Sequence, residues 1–178
     1  MDGGYRDLAR HNAWANARLL AFCKTLDPSL LDATAPGTYG SVLATLQHVV
    51  GSEASYIRRL TNAWPTHPWP SDAVDLDVLA ERAAMLGEVL ERFLMAGWDS
   101  ERLGEARGDE GEVFAVRASI FLTQLLHHGN EHRAHVCTIL GASGHEPPDL
   151  SAWAYADETG RSWLTNTPPD RRAHESSG

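Results

Sequence analysis

Histidine is the residue type in this sequence whose number and spacing point most directly to chemistry. The chain has nine histidines, and four of them lie between residues 127 and 135. His128 and His132 are four positions apart, so on one helix their imidazoles would lie one above the other, about 5–6 Å apart at Cβ. Two neutral imidazoles at this spacing can bind one metal ion, as in the helical HxxxH of zinc proteases. The pair predicts two ligands of a metal site.

A third histidine falls on the same side of the predicted helix. At about 100° per residue, His128, His132 and His135 share the apolar stripe. That stripe also carries Phe121, Leu125, Val136 and Ile139. Three nearby residues point the other way, namely Asn130, Arg133 and Cys137. Because burying three imidazoles without a charge or a metal partner is costly, the stripe favours a ligand role for its histidines.

A metal ion that does chemistry normally takes three protein ligands and keeps one position open, so a third ligand is needed. His48, in the middle of the predicted second helix, is the best remote candidate, because an adjacent antiparallel helix could aim it at the same level. His135 is the local alternative, since it lies one turn beyond His132 and could be a ligand, a support for a ligand or a proton shuttle. Spacing alone does not decide between His48 and His135 as the third ligand.

Four long amphipathic segments are expected to position these residues. Apolar side chains recur at helical spacing over residues of about 5–26, 41–60, 75–96 and 115–140. A shorter helix is predicted over about 149–157, after Pro147 and Pro148. The pattern predicts an all-α, up-down four-helix bundle with a short C-terminal helix, a fold whose core holds metal and ligand sites between facing helices.

The segments between the helices are rich in proline, glycine and charge. Residues 64–70 contain three prolines and are predicted to be a connection, because proline removes backbone donors. Residues 98–114 fit either a long loop or a short hairpin. We expect one bundle domain over residues 1–160 and a disordered polar tail over residues 161–178.

Composition and charge exclude several classes of function. A length of 178 residues suits a single domain. The formal net charge of −9 would repel phosphate backbones, so we expect no nucleic-acid partner. No apolar run approaches a membrane helix and the start lacks a secretory pattern, so we expect a cytoplasmic protein without membrane contact. Cys23 and Cys137 lie far apart in the sequence, and we expect neither a disulfide framework nor a catalytic thiol.

Four short motifs occur in an order that is typical of one protein family. They are NAWANARLL at 12–20, PGTYGS at 36–41, LQHVVGSE at 46–53 and HGNEHR at 128–133. Together they make residues 5–157 resemble the DinB/YfiT-like family. The resemblance implies a four-helix bundle, often a homodimer, with a divalent metal ion, Zn²⁺ or Ni²⁺, held by His48, His128 and His132. The family often has Gln where this chain has His135.

The resemblance also suggests an activity. Characterised relatives include transferases that use bacillithiol, mycothiol or glutathione, and the family name refers to induction by DNA damage. We therefore expect a stress-related, metal-dependent thiol S-transferase whose small-molecule partners are a low-molecular-weight thiol and an electrophile. Two alternatives stay open: a hydrolase with metal-activated water, and a non-enzymatic helical binding protein that uses Trp64 and Trp69. No general base is predicted, because Glu53 and Glu131 fall off the ligand faces.

Overall fold

Helices make up most of the computed structural model, which describes residues 3–62, 75–108 and 110–164. The five α-helices are α1 (Gly3–Cys23), α2 (Val42–Thr61), α3 (Leu76–Met95), α4 (Ala118–Ala142) and α5 (Ala152–Glu158). A 3-10 helix at Pro28–Asp32 lies between α1 and α2, and two short strands, β1 (Leu103–Arg107) and β2 (Val113–Arg117), precede α4. Within the described ranges no helix has both the length and the apolar character needed to cross a bilayer.

Side-chain caps set the starts of α2 and α3 close to the predicted positions. Ser41 Oγ accepts a hydrogen bond from the backbone N–H of Ala44 (3.2 Å), and Asp75 Oδ1 accepts one from Val78 (2.9 Å). These caps satisfy donors that the first turn of a helix leaves without partners. The predicted end of α1 near residue 26 is too late, because Thr25 bonds the Phe22 carbonyl through both its N–H and its hydroxyl and tightens the chain into a turn.

The first four helices pack as a bundle in which α1 contacts α3 and α4, and α2 also contacts α3 and α4. Helices α1 and α3 are antiparallel, because Arg10 near the start of α1 pairs with Glu91 near the end of α3, and Lys24, just after α1, pairs with Asp77 at the start of α3. Gly87 allows this close approach, since a Cβ there would lie 2.6 Å from the Ala13 Cβ.

The remaining contacts give the directions of α2 and α4. His48 meets His128, whereas Tyr56, further along α2, lines a cavity together with Phe121, earlier in α4. These two helices are therefore antiparallel. Helices α1 and α4 are parallel, because Asn12 lies beside Gly129, whereas Asn16, one turn further along α1, bonds Arg133, one turn further along α4. The four-helix bundle is confirmed. Helices α1 and α4 run one way and α2 and α3 the other, so the consecutive helices α2 and α3 are parallel and do not alternate as in a strict up-down order.

The bundle core is formed by large apolar side chains from all four helices. The largest fully buried ones are Leu19, Leu20, Ile57, Leu60, Leu86, Leu90, Leu94, Ile139 and Leu140. They occupy the helical spacings that the sequence predicts, so burial of these stripes is the main source of stability.

A hairpin resolves the two alternatives for residues 98–114. Strands β1 and β2 are antiparallel, with Leu103 opposite Arg117 and Arg107 opposite Val113. Because pairing continues to Arg117, α4 begins at Ala118 instead of near residue 115. Gly104 lies against the Phe121 ring, where a Cβ would be 2.9 Å from the ring edge, so the hairpin packs on the first turn of α4.

The chain divides into two compact units, Met1–Pro148 and Asp149–Gly178. The second contains α5, which begins near its predicted position and is capped by Ser151, whose Oγ accepts from the Ala154 N–H (3.2 Å). The predicted domain boundary near residue 160 stays a prediction. The predicted connection at 64–70, with Trp64 and Trp69, and the greater part of the predicted tail lie outside the described residues.

Candidate metal centre

Three histidines from two helices meet between α2 and α4. The Nε2 atoms of His48 and His128 are 3.0 Å apart. One ring nitrogen from each of His48, His128 and His132 lies within 4.8 Å of the other two, and the ring centroids are 4.3–4.8 Å apart. The structure therefore brings together the remote histidine and the HxxxH pair, because the antiparallel helices place them at one level.

The geometry of this group fits a shared cation. Bonds of about 2.0–2.1 Å from zinc to nitrogen in a tetrahedral site place two ligand atoms about 3.3 Å apart. A hydrogen bond between His48 and His128 would account for one contact, but it leaves out His132, which is 8% exposed. The Nδ1 of His132 is buried and receives no hydrogen bond within the described residues. Three histidines that converge on one point could hold a metal ion.

Electrostatics keep these imidazoles in the form that binds metals. Burial lowers the pKa of His48 and of His132. For His128, burial and the neighbouring His132 and His48 lower the pKa to about 4. The neutral ring, which has a lone pair to donate, is thus favoured at neutral pH.

Comparison with known proteins agrees with this geometry. The sequence profile of the DinB family matches residues 1–170. The chain belongs to the DinB family. A comparison with curated proteins finds no relative that matches. Family membership and the three-histidine group together support a metal-binding DinB protein, and within the described ranges this is the one cluster of such side chains with metal-site geometry.

Two tyrosine rings, those of Tyr39 and Tyr56, form an aromatic wall beside the histidines of this DinB protein. The sequence analysis does not predict this wall. Tyr39 stacks on His48, with ring centroids 4.1 Å apart and planes 16° from parallel, and it meets His132 edge-on at 5.0 Å. Tyr56 lies edge-on to His128 at 5.9 Å. The PGTYGS motif was the available signal for Tyr39, because it directly precedes the helix that carries His48.

His135 lies beside the centre but outside the group of three. Its ring is edge-on to His132, with centroids 5.1 Å apart. Its Nδ1 is buried and has no hydrogen-bond partner within the described residues. The structure therefore places His135 in contact with His132 and not among the converging nitrogens.

Arg133, the residue after His132, belongs to a buried polar network on the other side of α4. It points away from the histidine stripe, as predicted, and this direction faces α1. Its Nη1 donates to Asn12 Oδ1 (3.0 Å) and Asn16 Oδ1 (2.8 Å). The amides of Asn12 and Asn16 donate in turn to the two carboxylate oxygens of Glu53, at 3.0 and 2.7 Å. The four residues connect α1, α2 and α4.

The charges of this network are tightly enclosed. Glu53 is 4% exposed and Arg133 3%. Burial raises the pKa of Glu53, against the opposing effect of Arg133, and burial lowers the pKa of Arg133 to about 10. Gly129 leaves room for the network, because a Cβ there would lie 3.0 Å from Arg133 Nη1 and 3.2 Å from Asn12 Oδ1. Glu53 serves this network and lies outside the histidine group.

The two cysteines are free thiols whose surroundings disfavour a thiolate. Burial raises the pKa of Cys23 to about 12 and also raises the pKa of Cys137. Because the thiolate is the nucleophile and the metal ligand, neither side chain is suited to catalysis at neutral pH.

Proposed function

We propose that this DinB protein binds Zn²⁺ or Ni²⁺ through His48, His128 and His132 and catalyses S-transfer from a low-molecular-weight thiol to an electrophile. The observation that carries the proposal is the convergence of three neutral imidazoles in a group that contains no carboxylate or cysteine. Imidazole suits zinc and nickel. Three protein ligands leave a coordination position for a substrate, which is the pattern of catalytic sites.

The thiol must come from a substrate, because the protein's own cysteines are held protonated. A divalent cation at the histidines would supply Lewis acidity that lowers the pKa of a thiol. In the transfer, the S–H proton passes to solvent, an S–C bond forms, and the bond from that carbon to its leaving group breaks with the electron pair. Tyr39 covers one face of His48 and so holds the ring towards the other two histidines.

Metal content tests the first half of the proposal. Wild type, His48→Ala and His132→Ala, each loaded with zinc or nickel and then desalted, are compared by elemental analysis, with circular dichroism as the check on folding. His127→Ala is the matched control, because that side chain is 70% exposed and lies outside the group. We expect one metal ion per chain in wild type and control, and its loss in the two ligand variants. Wild type without stoichiometric metal would overturn the metal site.

Product analysis tests the second half. The metal-loaded protein is incubated with several thiols and a chlorinated aromatic acceptor, and the products are identified by mass spectrometry. A thioether that is absent with His132→Ala is the expected product. A hydrolysed acceptor in its place would assign the site to water activation, and the absence of any product across the thiols would refute the transferase.

A further inference from the structure

A cleft lies between the second half of α2 and strand β1. It consists of two cavities of about 260 and 370 Å³, and Arg59 lines both. The smaller cavity starts close to the histidines: Ser52, one turn after His48, lines it, and so does Tyr56, whose ring contacts His128. The cleft therefore extends from residues that neighbour the candidate metal centre to the hairpin.

Arginine dominates the charge of this cleft. Among the described lining residues, Arg58 and Arg59 line the larger cavity and Arg107 lines the smaller one, while the acidic Glu105 lines the larger one. This local excess of cations occurs in a chain whose formal net charge is −9. A concave site with one sign of charge concentrates ligands of the opposite sign.

The Arg59 guanidinium is not needed as a hydrogen-bond donor to the carbonyl groups at the end of α2. Arg102 already serves the terminal carbonyls, because its Nη2 donates to the carbonyl oxygens of Arg59 (3.0 Å) and Leu60 (2.7 Å). One nitrogen of Arg59, Nη1, donates to the backbone oxygen and the hydroxyl of Ser55. Within the described ranges Arg59 forms no ion pair with a carboxylate. A guanidinium with donors to spare suits bidentate binding of a carboxylate.

We propose that this arginine cleft, lined by Arg58, Arg59 and Arg107, binds the carboxylate end of an organic acid whose other end reaches the histidines. The identity of the reacting end, a thiol, rests on the proposed function; the carboxylate site does not. Arg59 lies about 16 Å from His48 along the axis of α2, at about 1.5 Å per residue. The arginine side chain can reach back along the helix and shorten this distance, but much of it remains. The fitting ligand is therefore an extended acid with a thiol many bonds from its carboxylate.

Calorimetric titration with matched acids and alcohols tests the carboxylate site. The metal-free protein is titrated with octanoate and octanol, and the metal-loaded protein with octanoate, mercaptooctanoate and mercaptooctanol. We expect each acid to bind about 10-fold more tightly than its alcohol, because a 10-fold change in affinity corresponds to the free energy of one charge-assisted hydrogen bond. Arg59→Ala should abolish this preference and leave alcohol binding unchanged, and Arg59→Lys should keep part of it. Arg92→Ala on α3 is the control and should retain the full preference.

The same titrations separate the two proposals. Equal binding of octanoate and octanol to wild type, or a preference that survives Arg59→Ala, would overturn the arginine cleft. If octanoate is preferred but mercaptooctanoate binds the metal-loaded protein no more tightly than octanoate does, the cleft stands and the thiol function fails. Mercaptopropionate is too short to span the cleft and should bind no more tightly than mercaptopropanol. An unchanged metal content in Arg59→Ala would show that the variant acts on ligand binding alone.

Discussion

The buried network of Asn12, Asn16, Glu53 and Arg133 offers a direct test of what joins α1, α2 and α4. Arg133→Met removes both hydrogen bonds to the asparagines and the cation that faces Glu53. Glu53→Gln leaves the guanidinium without its anion. Because both groups are at least 96% buried, water cannot replace the lost partner, and each single change should lower the free energy of unfolding by about 3–5 kcal/mol.

The free energy of unfolding of the double variant, Glu53→Gln with Arg133→Met, shows whether the two losses are coupled. If the two losses were independent, they would sum to about 6–10 kcal/mol, which approaches the whole stability of a typical domain. Because each single change leaves the other charge buried and unpaired, removing both should cost no more than about 3–5 kcal/mol. Urea unfolding at pH 7, followed by circular dichroism, measures all four proteins. Losses that add, or single losses below about 1 kcal/mol, would refute the reasoning.

A partly exposed carboxylate provides the control. Glu91 accepts from Arg6 Nε (3.2 Å) and Arg10 Nε (2.8 Å), but its side chain is 29% exposed. Water can therefore solvate the arginines when the carboxylate is removed, and Glu91→Gln should cost about 1 kcal/mol or less. Both glutamates accept two side-chain hydrogen bonds and are close to an arginine, so the comparison tests the effect of burial on the cost of removing the carboxylate.

The pH dependence of Arg133→Met should have a defined sign. Burial already raises the pKa of Glu53 above its ordinary value of 4.5, and loss of the guanidinium should raise it further. A raised pKa in the folded state means that stability is lost as pH rises through that pKa and is fully present below 4.5. The deficit of the variant relative to wild type should therefore shrink as the pH falls from 7 towards 4.5. A deficit that grows on acidification would contradict this assignment.

Three further experiments test packing, thiol reactivity and the aromatic wall. Gly87→Ala should lower stability by about 1–3 kcal/mol, because its Cβ would meet Ala13, whereas Gly141→Ala, with nothing within 4 Å, should raise it by about 0.4–1 kcal/mol; thermal unfolding measures both. Iodoacetamide at neutral pH should label Cys137 before the more deeply buried Cys23, and both more slowly than a free thiol, as mass spectrometry of timed samples would show; faster labelling of Cys23 would argue against its burial. Tyr39→Ala should weaken zinc binding about 10-fold and Tyr39→Phe should not, because the stacked ring and not the hydroxyl holds His48; competition with a chromophoric chelator measures this.

The elements that the sequence predicts well are those in which local signals agree. In α2 and α3, a capping side chain and a single apolar stripe coincide, and both helices begin within a residue of the predicted place. The predicted start of α4 is too early, because Val113–Arg117 is apolar enough to extend a helical stripe. Its pairing with β1 is a contact between separate segments, which helical periodicity does not contain.

The candidate site also has a part that local sequence predicts and a part that depends on contacts between helices. His128 and His132 follow from spacing within one helix, whereas the choice of His48 over His135 needed either the family resemblance or the structure. The roles of Tyr39 and of the Asn12 and Asn16 pair depend on which helices are neighbours. A helical wheel gives the direction of a side chain but does not identify the helix that lies in that direction.

The two polar clusters of the bundle are related through consecutive residues of α4. Neighbouring residues on a helix point about 100° apart, so His132 faces α2 while Arg133 faces α1. Movement of α4 along its axis would therefore break the hydrogen bonds of Arg133 and separate His132 from His48 at the same time. The buried network thus fixes the axial position of the HxxxH pair relative to His48. This arrangement gives a physical reason for keeping two buried charges in a core that apolar side chains could otherwise fill.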